Sequence, residues 1–203
     1  MEEFVTQGKT LRALAGLDPA PCTLGGSALV MIDCQNTYRS GVMALHGVEE
    51  ALMEARKLLA RARSAGTGIF HIAHDAGPGT PYDRSAEIGR IADVVAPREG
   101  EPVITKSKPN SFVGTDLDER LRAAGVTELI LAGFMTHMCV NSTARGAFNL
   151  GYKSTVVAHA TATRDLPLPG GGVVGARALH QASLAAIADL FAVVVDGADD
   201  LRP

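Results

Sequence analysis

Three residues of this chain pair a reactive side chain with a position that a fold can exploit. Cys139 follows the apolar run ELILA (128–132) and a short connection, GFMTHM (133–138). After it, Val140, Ala144, Ala147 and Phe148 recur at helical spacing and Gly151 follows. The pattern predicts a buried parallel strand ended by Gly133, a loop, and a helix that starts at the cysteine. Unpaired N–H groups and the positive end of a helix dipole favour a thiolate there, so Cys139 is a candidate nucleophile. The competing reading is a packed thiol, since free cysteine is among the most buried residue types. Asp33 ends a second apolar run, ALVMI (28–32). Burial would raise its pKa toward the range of a general base; the alternative is a cap for the turn at Gln35–Asn36. Lys106 leaves a third run, in VITKSKPNSF (103–112), where an ammonium can hold a nearby carboxylate and thiolate ionised. Lys108 stands close enough to be confused with it, and an exposed surface lysine is the commonest fate of that residue. Brought together, the three would supply nucleophile, base and electrostatic partner for acyl transfer.

The elements that must position them alternate between two periodicities. Strands are expected at Ala28–Ile32, Gly68–Ala73, Pro102–Thr105, Thr127–Ala132, Ser154–Ala158 and Phe191–Val195. A helix is expected over His46–Ala65, with Val48, Leu52, Ala55, Leu59 and Ala62 on one face and Gly66 as its stop. Another opens at Thr115, where Thr115 and Asp118 have capping-box spacing, carries Leu117, Leu121 and Ala124 inward, and ends at Gly125. A last helix spans Ala176–Ala188. Residues 74–100 are Gly/Pro-rich and polar, with a helical piece near Ala86–Ile91, and read as a functional segment or lid. Pro169–Gly172 lacks the spacing of a phosphate-binding loop and reads as a flexible connection.

Strands alternating with helices imply an α/β fold of three layers, α/β/α: a doubly wound, six-stranded, mostly parallel sheet of order 3-2-1-4-5-6. That order puts strands one and four side by side at the switch point, so Asp33 and Cys139 would meet in the crevice beyond the strand ends. Residues 1–24, with a short helix around Thr10–Leu17, read as an N-terminal extension, and 25–203 as one domain, the most that 203 residues comfortably hold.

Composition narrows the class. The chain is 46% hydrophobic and 20% charged, as in folded globular domains. A net charge of −3 without a basic stripe argues against nucleic acid. The acidic start MEEFVTQGKT differs from a signal peptide, no apolar run has the length of a membrane span, and three cysteines fit no disulfide or zinc framework; the cytoplasm is expected.

Three pieces in order, ALVMIDCQNTY (28–38), VITKSKPNSFVGTDLDERL (103–121) and LILAGFMTHMCVNSTARGAFNLGY (129–152), resemble the isochorismatase-like cysteine hydrolases, the family of isochorismatases, nicotinamidases and N-carbamoylsarcosine amidases. The resemblance covers about residues 25–195. It implies that Asp33, Lys106 and Cys139 form a catalytic triad, with Phe112 selecting Lys106 over Lys108. It also implies a non-proline cis peptide at Phe134–Met135 and an oxyanion hole of the Met135 and Cys139 N–H groups. Gln35, Tyr38, His74, Phe112, Thr136 and His137 are the candidate substrate-binding residues, each of which also has an ordinary packing or capping reading. Metal-binding nicotinamidases carry an Asp-x-His element that is missing from His71-Ile-Ala-His74-Asp75, so no metal and no cofactor are expected, and His71 reads as core. The implied reaction is hydrolysis of a C–N bond in a small amide, cyclic amide or ureido compound through a thioester. The alternatives are vinyl-ether hydrolysis of the isochorismatase type, or a silent binding module of the same fold. Relatives of this kind are usually homodimers or homotetramers.

Overall fold

A computed structural model describes residues 8–203 of the chain. Six strands form one parallel sheet: β1 (Ala28–Ile32), β2 (Gly68–His74), β3 (Val103–Lys106), β4 (Glu128–Phe134), β5 (Lys153–Ala162) and, last in the chain, β8 (Val193–Val195). Their order is β3-β2-β1-β4-β5-β8, the six-stranded doubly wound order expected, and every neighbouring pair is parallel. β1 and most of β4 are buried on both faces, which is why they read as continuous apolar runs.

One face is covered by α2 (Val48–Ala65), whose Val48, Leu52, Ala55, Leu59 and Ala62 are buried against Leu29, Met31 and Ile130. The other carries α3 (Leu117–Ala123), α4 (Asn141–Asn149) and α5 (Ala176–Leu190), which bury Leu117, Leu121, Ala144, Ala147 and Ile187 over Val30, Leu129 and Leu131. Gly66 ends α2 in the left-handed conformation, its N–H returning to the carbonyls of Ala62 and Arg63. A short α1 (Leu11–Leu14) lies on α5, where Leu11 N donates to Asp189 at 2.8 Å, so the described part of the extension is docked on the domain. Residues 1–7 of that extension lie outside the described residues.

Several local expectations are corrected. β4 does not stop at Gly133 but runs through it to Phe134. A Cβ at Gly133 would sit 1.9 Å from the Ile32 carbonyl oxygen of β1, so glycine there serves the close approach of two strands. The capping box is only half formed: Thr115 Oγ1 accepts from Leu117 N at 3.4 Å while donating to the Ser111 carbonyl at 2.6 Å, Asp118 turns to Arg122 and Tyr152, and Ala124 is exposed. Phe191 belongs to the end of α5 and not to the last strand. β5 is twice the expected length and bulges, skipping from the Leu131↔Val156 pair to Gly133↔Thr161. The 169–172 connection is the tip of a hairpin, β6 (Leu166–Pro167) with β7 (Val173–Val174). Residues 74–100 are clasped to the turn after β1: Asn36 N donates to Arg90 O and Ala92 N to Cys34 O, each at 2.9 Å. These bonds dock the segment on the turn that follows β1.

Glu101, just before β3, ties two layers together. It accepts from Arg63 of α2 at 2.7 Å and faces His71 Nε2 at 3.0 Å, and His71 is the core histidine expected. The Arg63 guanidinium is the main reason the Glu101 carboxyl is held down at about 2 from its ordinary 4.5. Because the folded value is the lower one, the stability this group contributes is complete above its unfolded value and lost as pH falls from 4.5 toward 2. Replacing Glu101 with Gln is expected to flatten that part of an acid-unfolding curve followed by circular dichroism. Gly133→Ala is expected to cost at least about 2 kcal/mol in a urea titration, because the added methyl meets backbone and not a movable side chain.

Candidate active site

The parallel register brings the ends of four strands to one edge. Ile32 pairs with Ile72 and Gly133, and His74 pairs with Lys106, so Asp33, His74, Lys106 and Phe134 reach the sheet's carboxyl edge together. Asp33 turns the chain there in the left-handed region, with φ of 48°, a conformation Asp tolerates better than most residues. The Phe134–Met135 peptide is cis, and the chain then makes a π-helical turn, Thr136–Val140, before α4. Cys139 sits inside that turn and not at the first position of the helix.

Lys106 Nζ lies 2.7 Å from Asp33 Oδ2 and 3.4 Å from Cys139 Sγ, and both charged side chains are fully buried. The cysteine is 5% exposed. Lys106 also points at His74 Nδ1, 3.4 Å away; burial, then the ammonium itself, lower the pKa of His74 and leave a neutral ring able to accept. Burial raises the Asp33 carboxyl, opposed by the charge and hydrogen bond of Lys106 and by a hydrogen bond from Cys139. The Cys139 thiol is pushed up to about 12, first by burial and then by the Asp33 charge, with Lys106 pulling the other way. The expectation of a helix-start thiolate is therefore corrected: the sulfur lies in the π-helical turn, where burial and the Asp33 charge raise the thiol and Lys106 lowers it.

The other expected pocket residues divide. His74 and His137 are half-buried at this edge. Tyr38 is 1% exposed, edge-on to Tyr82 and Phe134, and is packed in the core instead of walling an open pocket. Gln35 has no exposed surface; its amide donates to the carbonyls of His74 and Gly89 and accepts from His74 N, so it fastens β2 to the covering segment and is not a substrate contact. Phe112 stacks on Tyr152 in the helical layer, with centroids 5.8 Å apart, and is packing. Thr136 is fully buried with its hydroxyl 2.9 Å from His180 Nδ1 of α5, and His137 Nδ1 meets the Thr163 hydroxyl at 2.5 Å. Both hold the turn that carries Cys139. Tyr82, His180 and Thr163 escaped the sequence reading, because only the folded chain brings them to this edge.

No group of three or more His, Cys, Asp or Glu is arranged to hold a metal ion among the described residues. Nor is any helix of the described residues long and apolar enough to cross a membrane.

The doubly wound α/β/α domain thus carries a buried Asp–Lys pair against a cysteine at its switch point. The isochorismatase domain model matches residues 27–199, and the chain belongs to the isochorismatase family of hydrolases. A secreted isochorismatase effector, Isc1, of Verticillium dahliae is 34% identical over 94% of this chain and 98% of its own. A streptothricin hydrolase of Streptomyces noursei is 37% identical over 69% of this chain and 51% of its own. The crystal structure of an isochorismatase from Pseudomonas putida KT2440 is 39% identical, superposes with a TM-score of 0.92, and covers 96% of this chain and 99% of the other.

Removing the Asp33 charge deletes two of the causes that raise Cys139 and keeps the lysine that lowers it. In Asp33→Asn the pH at which iodoacetamide labels Cys139 should therefore fall, and in Lys106→Met it should rise, as read by mass spectrometry of the labelled peptide. Cys22 and Cys34, 1% exposed with their thiols raised by burial, should stay unlabelled throughout.

Proposed function

We propose that the protein is a cysteine hydrolase that cleaves the C–N bond of a small amide, cyclic amide or ureido compound through a thioester. The observation that carries this reading is the convergence of Lys106 on Asp33 at 2.7 Å and on Cys139 at 3.4 Å, in a site nearly closed to water. Asp33 takes the thiol proton as Cys139 Sγ attacks the carbonyl carbon. The Met135 and Cys139 N–H groups receive the developing oxyanion, a contribution on the order of 2.7–4 kcal/mol per donor in sites of this kind. The tetrahedral intermediate collapses to the thioester, and Asp33, now protonated, gives its proton to the departing nitrogen. Asp33 then deprotonates a water that attacks the thioester and releases the acid and the free thiol.

Lys106 makes the cycle possible by keeping the charge of the acid–sulfur pair paired at each step. An ether cleaved at a vinyl carbon has no need of such a nucleophile, whereas an amide carbonyl does. Relatives that this chain resembles include amidohydrolases, which agrees with the C–N assignment. His74 and His137 are the side chains proposed to meet the substrate at the mouth. No cofactor enters the scheme.

The proposal extends to the whole chain. Residues 25–203 act as one hydrolase domain preceded by the extension 1–24, working as a homodimer or homotetramer on a small-molecule substrate, with neither nucleic acid nor membrane as partner. Three unpaired cysteines fit the cytoplasm.

The test is ammonia release from a panel of small amides, with isochorismate and pyruvate detection as a second arm. Cys139→Ala should fall by at least about a thousandfold in kcat while its unfolding curve stays unchanged. Residual activity near wild type, or pyruvate as the faster product, would sink the thioester route.

A further inference from the structure

An ammonium has three N–H bonds to place, and when it is buried each needs an acceptor of its own. Lys106 finds two in the triad, Asp33 Oδ2 at 2.7 Å and Cys139 Sγ at 3.4 Å. The third is His74 Nδ1, also at 3.4 Å, and the lysine side chain has no exposed surface through which solvent could take its place. The acceptors reach Nζ from three elements: Asp33 follows β1, His74 ends β2, and Cys139 lies in the turn after β4.

His74 is itself held on several sides. Its backbone N–H and carbonyl both bond the Gln35 amide, at 2.8 and 2.9 Å, and its ring lies against Tyr82 with centroids 4.7 Å apart. The β2–β3 register pairs it with Lys106, so the two side chains leave neighbouring strands at one level. The contact also decides where the ring proton sits. A neutral imidazole donates from one nitrogen and accepts at the other, and a nitrogen that faces an ammonium can only accept. The proton is therefore on Nε2, which makes no hydrogen bond among the described residues although the side chain is half-buried. The charges around the ring are Lys106 of β3, Asp75 beside it in the chain, and, beyond the ammonium, Asp33.

We propose that His74 is a positioning residue for the reaction: it takes the third N–H of Lys106 at Nδ1, and that bond fixes its ring as the Nε2–H tautomer. The proposal rests on the cysteine-hydrolase reading and adds a fourth member to the Asp33–Lys106–Cys139 group. With its third N–H engaged, the ammonium stays aimed at both oxygen and sulfur while the proton passes between them. Without that acceptor Lys106 turns to find another, and its hold on the sulfur weakens. Protonating His74 has the same effect, because it removes the acceptor and sets a second cation against the first.

The test uses the full chain and needs no substrate. Ring ¹⁵N resonances of histidine report tautomer and protonation directly. Wild type is expected to show His74 as the Nε2–H form, titrating below the ordinary 6.5, and Lys106→Met should raise that midpoint by removing the ammonium. Iodoacetamide labelling of Cys139 is then followed against pH. His74→Phe should slow it about threefold or more at neutral pH, in the direction of Lys106→Met, and His74→Gln, which keeps an acceptor, should recover part of the loss. In the double variant, His74→Phe with Lys106→Met, the rate should equal that of Lys106→Met alone, since the histidine acts only through the ammonium. An Nδ1–H tautomer in wild type, a labelling rate unmoved by His74→Phe, or losses that add in the double variant overturn the positioning role. If His74→Phe does not fold, the wild-type tautomer and the Lys106→Met titration decide the matter. Ammonia release tests the cleavage chemistry separately, so either reading can fail while the other stands.

Discussion

A single buried ion pair, Lys106 with Asp33, sets the terms for the rest of the molecule. Two charges with no exposed surface are expensive to remove from water, and the cost is offset only by close geometry and complementary surroundings. The two residues come from strands that are not neighbours, because β2 lies between β3 and β1. Lys106 therefore crosses the end of β2, passing His74, and every strand end at this edge must be held to its register. The absence of a side chain at Gly133 lets β1 and β4 close up behind Asp33. On the helical side, Gly146 of α4 does the same for the loop that follows Lys106: a Cβ there would meet the Asn110 amide at 2.5 Å. Gln35 ties β2 to the covering segment that shields the pair from solvent.

One cation serves two groups able to be anions. Paired with one ammonium, the site holds either a carboxylate and a thiol or an acid and a thiolate at the same net charge, so the proton passes between oxygen and sulfur without a new buried charge appearing. Burial raises both groups and Lys106 lowers both, which brings their proton affinities under one control. A thiol held near 12 would be a poor nucleophile in isolation. In the proposed reaction it needs no standing population of thiolate, because the neighbouring carboxylate can take the proton as the sulfur attacks.

What could be read from the sequence follows from what its patterns encode. Continuous apolar runs at 28–32 and 128–132 and the 3.6-residue period of 48–62 report burial on two faces or on one, and those elements were legible with their sheet order. Asp33 and Lys106 were legible because each follows directly on such a run, and Cys139 because helical spacing begins just after it. Features decided by a single tertiary contact were not. Gly133 reads as a strand terminator until Ile32 is seen against it, and Asp118 reads as half of a capping box until Arg122 and Tyr152 are seen to take its carboxylate. Gln35 and Phe112 carry types that suit a binding pocket, and the fold uses them for fastening and packing. The environment of Cys139 is hidden from the sequence for a related reason: a dipole argument depends on local sequence alone, whereas desolvation depends on everything folded around the sulfur.

The turn that carries Cys139 shows how that environment is made rigid. A π-helical turn is an irregular platform for a nucleophile, yet here its first two residues are tied to separate elements, Thr136 to His180 on α5 and His137 to Thr163 after β5. The Met135 carbonyl accepts from Met138 N and Val140 N, closing the turn on itself around the cysteine. His180 also lines an open cleft of about 570 Å³ between α2, the end of β5 and α5, so the tether that steadies the sulfur lies next to solvent-filled space and not in solid core. The position of Cys139 therefore depends as much on α5 and the end of β5 as on the strand that delivers it. A sulfur held 3.4 Å from the ammonium needs constraint from both sides. The ion pair supplies it from β1 and β3, and the two histidine tethers supply it from β5 and α5.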